Sequence, residues 1–304
     1  MNEPIAPLTL CELADPAIPG VESYSPFCMK VHRALRAADL PYTRRHGAHP
    51  GVFKKLNPTG QLPVLLIGDE PVADSTAILR RIEAMVPGSM SGAGGREAAE
   101  AWLWEDYADS CLNGYLVASR WADDRNWPSV KTAYFNALPA LIRAVLPGRL
   151  RSTVVGALVA RDVWRAGPAK CWERFEASLD QLEVRAPREG FWVGATVTAA
   201  DVAIFGQLHG MRSPLTPWQQ GQLAQRKASR RTSTASTPAR AWRSRRRPPA
   251  PRDQRASGPS GVSLSEATPG GSPGISSTPS GSVTTGIARP SLRVIRAERA
   301  AVRG

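Results

Sequence analysis

The sequence Ser-Pro-Phe-Cys at residues 25–28 places a hydroxyl and a thiol at the predicted start of a helix. An apolar repeat of helical period follows, with Val31 and Leu35 on the face that also carries Cys28. Proline suits the first turn of a helix, because the N–H that it lacks has no helical partner there. A helix N-terminus stabilises an anion through its free N–H groups and the positive end of the helix dipole. We therefore expect a hydroxyl or thiol at this helix start, as at Ser25, to deliver or stabilise a thiolate.

Two predicted strands flank this helix and position its N-terminus. Leu8–Leu13 predicts the first strand, residues 14–24 form a loop containing proline and glycine, and residues 42–45 predict the second strand. A strand, a helix and a strand in this order are typical of a parallel pair with a right-handed crossover. On the helix, Lys30, Arg33 and Arg36 fall on a polar face away from Cys28.

The next segment predicts a hairpin and a further helix. Its predicted elements are a short helix at residues 52–56, a turn at 57–60, a buried strand at 63–67, a turn at 68–71 and a short strand at Val72. Asp74 and Ser75 then open a helix. The order βαβαββα predicts an α/β domain over residues 1–86.

Composition separates this domain from a second, helical one. Residues 87–95 are rich in glycine and serine and predict a linker. From residue 96 to residue 226 the patterns are helical, with predicted helices at residues 131–145, 154–164 and 170–182. Thr198 and Asp201 have the spacing of a capping box before another apolar helix. We therefore predict an all-α second domain.

The basic charge of the chain is confined to its last quarter. Residues 1–226 hold 24 Lys and Arg against 23 Asp and Glu, whereas residues 227–304 hold 15 against 3. The tail is rich in Arg, Ser and Pro and has no periodicity, which predicts disorder. Because a GC-rich gene read out of frame gives a similar composition, a frameshift product is a second hypothesis for this tail. The arginine-rich run at residues 240–255 would bind polyanions without specificity, so we expect no specific nucleic-acid partner.

Cysteine spacing and hydropathy exclude several classes of protein. The four cysteines and four histidines are scattered without metal-ligand spacing, so we expect no metal and free thiols in a reducing compartment. The sequence opens without a basic and then apolar signal, and its apolar runs are too short to cross a bilayer. We therefore expect a soluble, cytoplasmic protein.

Together these motifs resemble those of the glutathione S-transferase superfamily over residues 8–226. Residues 25–28 resemble the family's Ser/Cys-Pro-Phe activation site, and residues 57–65 resemble the segment that carries its cis-proline. The pair Thr198 and Asp201 resembles the capping box of its helical domain. The resemblance implies a thioredoxin-like first domain, an all-helical second domain and glutathione as co-substrate, with no further cofactor.

The resemblance also implies a role for each residue of the binding site. Pro63 would be the cis-proline and would place the backbone of Leu62 beside the cysteinyl part of glutathione, although an ordinary trans-proline at a strand start stays an alternative. Ser75 and its helix N-terminus would take the γ-glutamyl carboxylate, while Asp74 would face the ammonium. Capping of the helix by Asp74 is the alternative, and both roles are compatible.

At the catalytic position, the resemblance implies that the Ser25 hydroxyl lowers the pKa of the glutathione thiol. Tyr24 is a rival for this role, and Cys28, one turn further, is an alternative that we interpret as structural. A cysteine in place of Ser25 would favour disulfide exchange or glutathionylation, so serine favours conjugation.

The resemblance also implies an electrophile pocket lined by aromatic residues of the second domain, with Trp104 and Tyr107 as candidates. An aromatic stripe at helical spacing is also typical of a hydrophobic core, and this alternative stays open. The function implied is conjugation of glutathione to small hydrophobic electrophiles by a homodimer, as in detoxification. The alternative is a non-catalytic binding or scaffold protein that keeps the fold.

Overall fold

The structure is a computed structural model that describes residues 6–16 and 18–226. A mixed four-stranded sheet with the order β2-β1-β3-β4 forms the centre of its first part. The strands are β1 (Leu8–Leu13), β2 (Tyr42–Gly47), β3 (Val64–Ile67) and β4 (Glu70–Ala73). β1 and β2 are parallel, whereas β3 runs antiparallel to both β1 and β4. The predicted parallel pair followed by a hairpin is therefore confirmed.

Two helices pack on this sheet and bury its apolar side chains. They are α1 (Pro26–Ala37) and α2 (Ser75–Met85), and a 3₁₀ turn at Pro50–Phe53 lies between β2 and β3. Leu10, Leu35, Leu79 and Ile82 are among the fully buried residues of the core between them. The predicted short helix at residues 52–56 is wrong in position, because the observed turn starts at Pro50, which suits a first helical position.

The elements in the rest of the described chain are all helices, which confirms the predicted all-α fold of the second part. A long helix starts with α3 (Gly95–Tyr107), continues through a π-helical turn at Ala108–Leu112 into α4 (Asn113–Val117), and ends in a second π-helical turn at Ala118–Ala122. The remaining helices are α5 (Trp127–Phe135), α6 (Ala140–Leu158), α7 (Asp162–Arg165), α8 (Pro168–Arg185), α9 (Ala199–Met211) and α10 (Pro217–Ala224). The capping box of α9, with Thr198 and Asp201, is present as predicted.

Two of the predicted helices are interrupted. The helix predicted at residues 131–145 is split between α5 and α6, because Pro139 disfavours a helical backbone at the residue before it. The helix predicted at residues 154–164 is the end of α6 followed by the short α7, with an extended backbone at Arg161 between them. α10 was not anticipated from the sequence pattern.

Helix α9 lies directly against α1 and joins the helical part to the α/β part. Gly206 makes this close approach possible, since a Cβ atom there would lie 2.6 Å from the carbonyl oxygen of Pro26. Lys30 of α1 is wholly buried at this contact, although its position in the repeat predicts a polar face. Its ammonium donates to Glu105 at 2.7 Å and also to Asp109, which explains how the charge is accommodated.

Candidate active site

Three segments with candidate residues meet at the same edge of the sheet, where β1 and β4 end and β3 begins. In the antiparallel pairs, Cys11 lies opposite Val64, and Val64 lies opposite Ala73. The end of β1, the residue before β3 and the residue after β4 therefore share one edge. Pro63 immediately precedes β3, and the loop that leaves β1 at this edge leads to Ser25.

Ser25 is the N-cap residue of α1, as predicted. Its backbone is extended (φ −82°, ψ 120°), and its Oγ accepts a hydrogen bond from the N–H of Cys28 at 3.3 Å. Its own N–H donates to Oγ of Ser23 at 3.2 Å. Because the Ser25 oxygen is the acceptor in the cap, its hydroxyl still carries a proton that it can donate, and the Cys28 thiol is one acceptor within its reach. The side chain is half-buried and can therefore meet a ligand from solvent.

Cys28 lies one turn further into α1 and is only 1% exposed. Burial raises the pKa of its thiol to about 12. At neutral pH the group is therefore a neutral thiol, and a thiolate nucleophile is not formed here. This environment favours the structural interpretation of Cys28.

Tyr24 directs its ring at the helical part of the protein. The rings of Tyr24 and Tyr134 have centroids 4.8 Å apart, and the Tyr24 carbonyl accepts a hydrogen bond from Arg120. Burial raises the pKa of the Tyr24 phenol, so it is protonated at neutral pH. Trp121 and Phe135 extend this aromatic cluster around Tyr134.

The peptide bond between Leu62 and Pro63 is cis, which confirms the predicted geometry. The turn before it is fixed by Asn57, whose amide donates to the carbonyl of Gln61 at 2.9 Å and whose Oδ1 accepts from the N–H of Thr59 at 3.2 Å. Pro63 is buried and Leu62 is half-buried. The backbone of Leu62 thus lies at the sheet edge in a defined orientation.

Asp74 is the N-cap residue of α2 and has a left-handed backbone (φ 77°). Its exposed carboxylate accepts from the N–H groups of Thr76 at 2.9 Å and Ala77 at 3.0 Å. The predicted alternative of capping by Asp74 is therefore confirmed, and two N–H groups of this N-terminus are already occupied. Ser75 is 5% exposed, and the Thr76 hydroxyl donates to Glu105 at 2.6 Å.

Trp104 and Tyr107 lie on the face of α3 that packs against α8. The Trp104 ring contacts those of Tyr107 and Trp192, with centroids 5.6 and 5.2 Å apart. Both residues line a surface depression of about 370 Å³ together with Leu182 and Arg185. The neighbouring face of α3 carries Glu105, which binds Lys30. The structure therefore brings Tyr134, rather than Trp104 or Tyr107, into contact with the residue next to Ser25.

Sequence reasoning missed the buried charges that join the two parts of the protein. Glu105 binds both Lys30 of α1 and Thr76 of α2, and Asp109 accepts from Lys30 and, at 3.4 Å, from Gln207 of α9. Lysine and carboxylates with helical spacing usually lie on solvated faces. Their burial depends on a partner that is about 75 residues distant in the chain, and no local signal reveals it.

Some further classes of site are not found in the described chain. Residues 6–16 and 18–226 contain no group of three or more His, Cys, Asp or Glu side chains that could hold a metal ion. The four cysteines are free. In the same residues, no helix is long and apolar enough to cross a membrane.

Comparison with known proteins gives the family of this chain. Sequence models of the glutathione S-transferase N-terminal domain and C-terminal domain match residues 26–126 and 156–246, which together exceed half of the chain. The chain therefore belongs to the glutathione S-transferase superfamily. The second match continues beyond the last described residue, into the segment that composition assigns to the tail.

Solved structures of glutathione transferases share the fold. Glutathione S-transferase III in its apo form matches with a TM-score of 0.51 at 20% identity, over 78% of this chain and 94% of that chain. GSTFuA3 from Phanerochaete chrysosporium matches with a TM-score of 0.52 at 17% identity, over 76% and 97%. A poplar glutathione transferase matches with a TM-score of 0.50 at 18% identity, over 78% and 95%. At these identities the likeness concerns the fold alone.

Proposed function

We propose that this protein is a glutathione transferase in which Ser25 activates the glutathione thiol for attack on small hydrophobic electrophiles. The observation that carries the proposal is the cap of α1. The Ser25 oxygen accepts from the N–H of Cys28, so its O–H can donate to a sulfur placed at the helix N-terminus. A hydrogen bond to the thiolate and the helix dipole both favour the ionised form, and the pKa of the thiol falls.

In the proposed reaction, the glutathione sulfur forms a bond to an electrophilic carbon of the second substrate. The thiol proton goes to water as the thiolate forms. In a substitution, the bond to the leaving group breaks and the leaving group departs with its electron pair. Because a thiolate is the nucleophile, a lower pKa increases the reactive fraction at neutral pH.

The sheet edge would hold the rest of glutathione. In this proposal the Leu62 backbone, oriented by the cis bond to Pro63, pairs with the cysteinyl unit. The carboxylate of Asp74 attracts the γ-glutamyl ammonium. Asp74 already occupies the N–H groups of Thr76 and Ala77, so the γ-glutamyl carboxylate is left to the hydroxyl and N–H of Ser75.

For the electrophile, we propose a pocket beside Tyr24 and Tyr134. These rings contact each other at the residue that precedes Ser25, and aromatic faces favour apolar and aromatic partners. Trp104 and Tyr107 are the second candidates, but they pack toward α8. Homodimerisation, a cytoplasmic location and a role in detoxification complete the proposal and are drawn from the family.

Calorimetric titration of glutathione into the full chain tests the proposal. Wild type is compared with Ser25→Ala and with the control Ser152→Ala, which alters an exposed serine of α6. Glutathione should bind to wild type and to the control with the same pH dependence, whereas Ser25→Ala should bind a thiol that ionises at higher pH. A folded wild type that does not bind glutathione would overturn the proposal.

The cap of α2 favours a second candidate function, a non-catalytic binding or scaffold protein. The Asp74 carboxylate already satisfies two N–H groups of the helix that a ligand carboxylate would use. If glutathione binds without any change in its thiol pKa, this second function is favoured. Turnover of an electrophile above the rate without protein would exclude it.

A further inference from the structure

The segment that leads to Ser25 is held by side chains rather than by strand pairing. Residues 20–24 contain no strand or helix, yet every second carbonyl in this segment accepts a hydrogen bond from a side chain of a different element. His209 of α9 binds the carbonyl of Gly20 at 2.9 Å, Arg44 of β2 binds that of Glu22 at 2.9 Å, and Arg120 binds that of Tyr24. Glu22 and Tyr24 are half-buried, and carbonyls removed from water need such partners when no strand ladder supplies them.

Of these three donors, Arg120 acts closest to the candidate catalytic residue. It belongs to the π-helical turn Ala118–Ala122 and is 4% exposed. One nitrogen, Nη1, donates to the Tyr24 carbonyl and, at 3.0 Å, to the Tyr134 hydroxyl. The other, Nη2, donates to the carbonyl of Gly210 in α9 at 2.9 Å. The guanidinium therefore bridges the active-site loop and the helical part of the protein.

We propose that Arg120 is a positioning residue for Ser25, an inference that rests on the proposed function. The carbonyl of Tyr24 belongs to the peptide group whose nitrogen is that of Ser25. Holding this carbonyl fixes the plane of that peptide, and with it the position of the Ser25 backbone from which the hydroxyl projects. The hydroxyl must aim at the glutathione sulfur while its oxygen keeps the cap contact with Cys28.

The bridge requires the shape of a guanidinium and not just a positive charge. Its nitrogens are fixed in a plane and donate in different directions, so one side chain holds two carbonyls that belong to separate elements. A lysine ammonium is a single point and cannot reproduce both contacts with the same geometry. The space is also tight, since a Cβ atom on Gly210 would lie 3.1 Å from Nη2 of Arg120.

The test uses two replacements of Arg120 and one matched control in the full chain. Arg120→Lys keeps the charge, and Arg120→Met keeps an unbranched apolar stem but removes the guanidinium without leaving a charge unpaired. Arg226→Met is the control, because Arg226 also binds two backbone carbonyls. These are the carbonyls of Gln222 in α10, at 2.9 Å, and of Glu176 in α8, at 3.3 Å. Thermal unfolding verifies that each variant is folded.

The readouts are the pH dependence of thiolate absorbance in bound glutathione and steady-state rates with a chlorodinitrobenzene. Both Arg120 variants should raise the pKa of the bound thiol toward that of free glutathione. At neutral pH they should lower kcat by about 10- to 100-fold, the range expected for a misplaced reacting group, with a smaller change in KM for glutathione. The control should keep the wild-type pH profile.

The possible outcomes separate this proposal from the proposed function. A wild type that does not lower the thiol pKa contradicts the proposed function itself. A wild type that lowers it, with Arg120 variants that lower it equally, overturns the positioning role alone. A wild-type pH profile in Arg120→Lys would assign the effect to charge and would also overturn the positioning role. Loss of folding in both variants would overturn it as well, because Arg120 would then be a residue of stability only.

Discussion

Two helices begin at the same edge of the sheet, and their N-termini are capped in opposite ways. At α1, the neutral hydroxyl of Ser25 accepts one hydrogen bond, from Cys28 at 3.3 Å. At α2, the carboxylate of Asp74 accepts two, from Thr76 and Ala77 at 2.9 and 3.0 Å. Serine and aspartate are about equally good N-cap residues, so helix stability does not explain the difference.

The difference lies in the charge that each helix start presents to a ligand. An anionic cap partly neutralises the positive end of its helix dipole and uses N–H groups that a ligand anion could otherwise bind. A neutral cap leaves the dipole available and keeps a proton for donation. In the proposed function, the α1 end would therefore face the thiolate, whereas at the α2 end Asp74 would face the ammonium and Ser75 alone would take the carboxylate.

Giving α1 an anionic cap like that of α2 should have the largest effect on the bound thiol and on turnover. Ser25→Asp keeps a capping side chain, so we expect the melting temperature to stay close to that of wild type. A carboxylate about 4 Å from the sulfur would oppose the thiolate by about 4 kcal/mol at an effective dielectric constant of 20. The bound thiol should then ionise at higher pH than free glutathione, and kcat/KM should fall more than about 100-fold. Unchanged turnover would show that Ser25 does not meet the sulfur.

Removing the hydroxyl of Ser25 without adding charge should have a smaller effect. A hydrogen bond to a charged group contributes about 1.5–3 kcal/mol, so Ser25→Ala should raise the pKa of the bound thiol by about 1 to 2. Absorbance of the thiolate against pH measures this change. The variant also loses its cap, which should cost about 1 kcal/mol of stability. If Tyr24→Phe raised the pKa of the bound thiol more than Ser25→Ala does, the catalytic role would belong to Tyr24.

Helix α1 also contacts a buried carboxylate, Glu12, which binds His32 of α1 at 3.1 Å and Arg44 of β2 at 2.6 Å. Burial alone would raise the pKa of Glu12, but these hydrogen bonds outweigh burial and hold the pKa below its ordinary value of 4.5. The folded state therefore binds this proton less tightly than the unfolded state does. The resulting stability is present above the ordinary pKa and is lost as the pH falls through the lowered one.

Glu12→Gln tests this pH dependence. The variant should be less stable than wild type by about 1–3 kcal/mol at neutral pH, because hydrogen bonds to a charged partner are weakened. The difference should shrink as the pH falls below 4.5. Urea unfolding at a series of pH values measures both quantities, and a constant difference across the series would contradict the assignment.

The smallest effect is expected from making the cap of α2 neutral. Asp74→Ser keeps a capping residue but removes the charge that, in the proposed function, would face the ammonium of glutathione. Because Asp74 is exposed, the free energy of glutathione binding should weaken by about 0.2–1 kcal/mol, equivalent to an increase in Kd for glutathione of at most about fivefold. The pKa of the bound thiol should not change. A shift in that pKa would show that the two helix ends do not act separately.

Local signals in the sequence were sufficient for the elements that form this site. Ser25 before Pro26 marks the start of α1, and Thr198 with Asp201 marks that of α9, because caps depend on residues within one turn. The cis bond before Pro63 followed from the resemblance to a known family. The roles of these residues toward glutathione stay predictions.

Contacts between distant segments could not be predicted from the sequence. The burial of Lys30 requires Glu105 and Asp109, and the bridge made by Arg120 requires Tyr24 and Gly210. Each of these partners lies on a different element, and the charge pattern of a single helix does not reveal it. The predicted tail at residues 227–304, with its hypotheses of disorder and frameshift, lies outside the described residues.

The ultraviolet absorbance of the glutathione thiolate, titrated with pH in the presence of the full chain, tests the central claim most directly. Wild type and Ser25→Ala are titrated at saturating protein, beside free glutathione. The account predicts that the thiol bound to wild type ionises at lower pH than free glutathione, and that Ser25→Ala removes most of this difference. A bound thiol that titrates like free glutathione in the wild type would contradict the account.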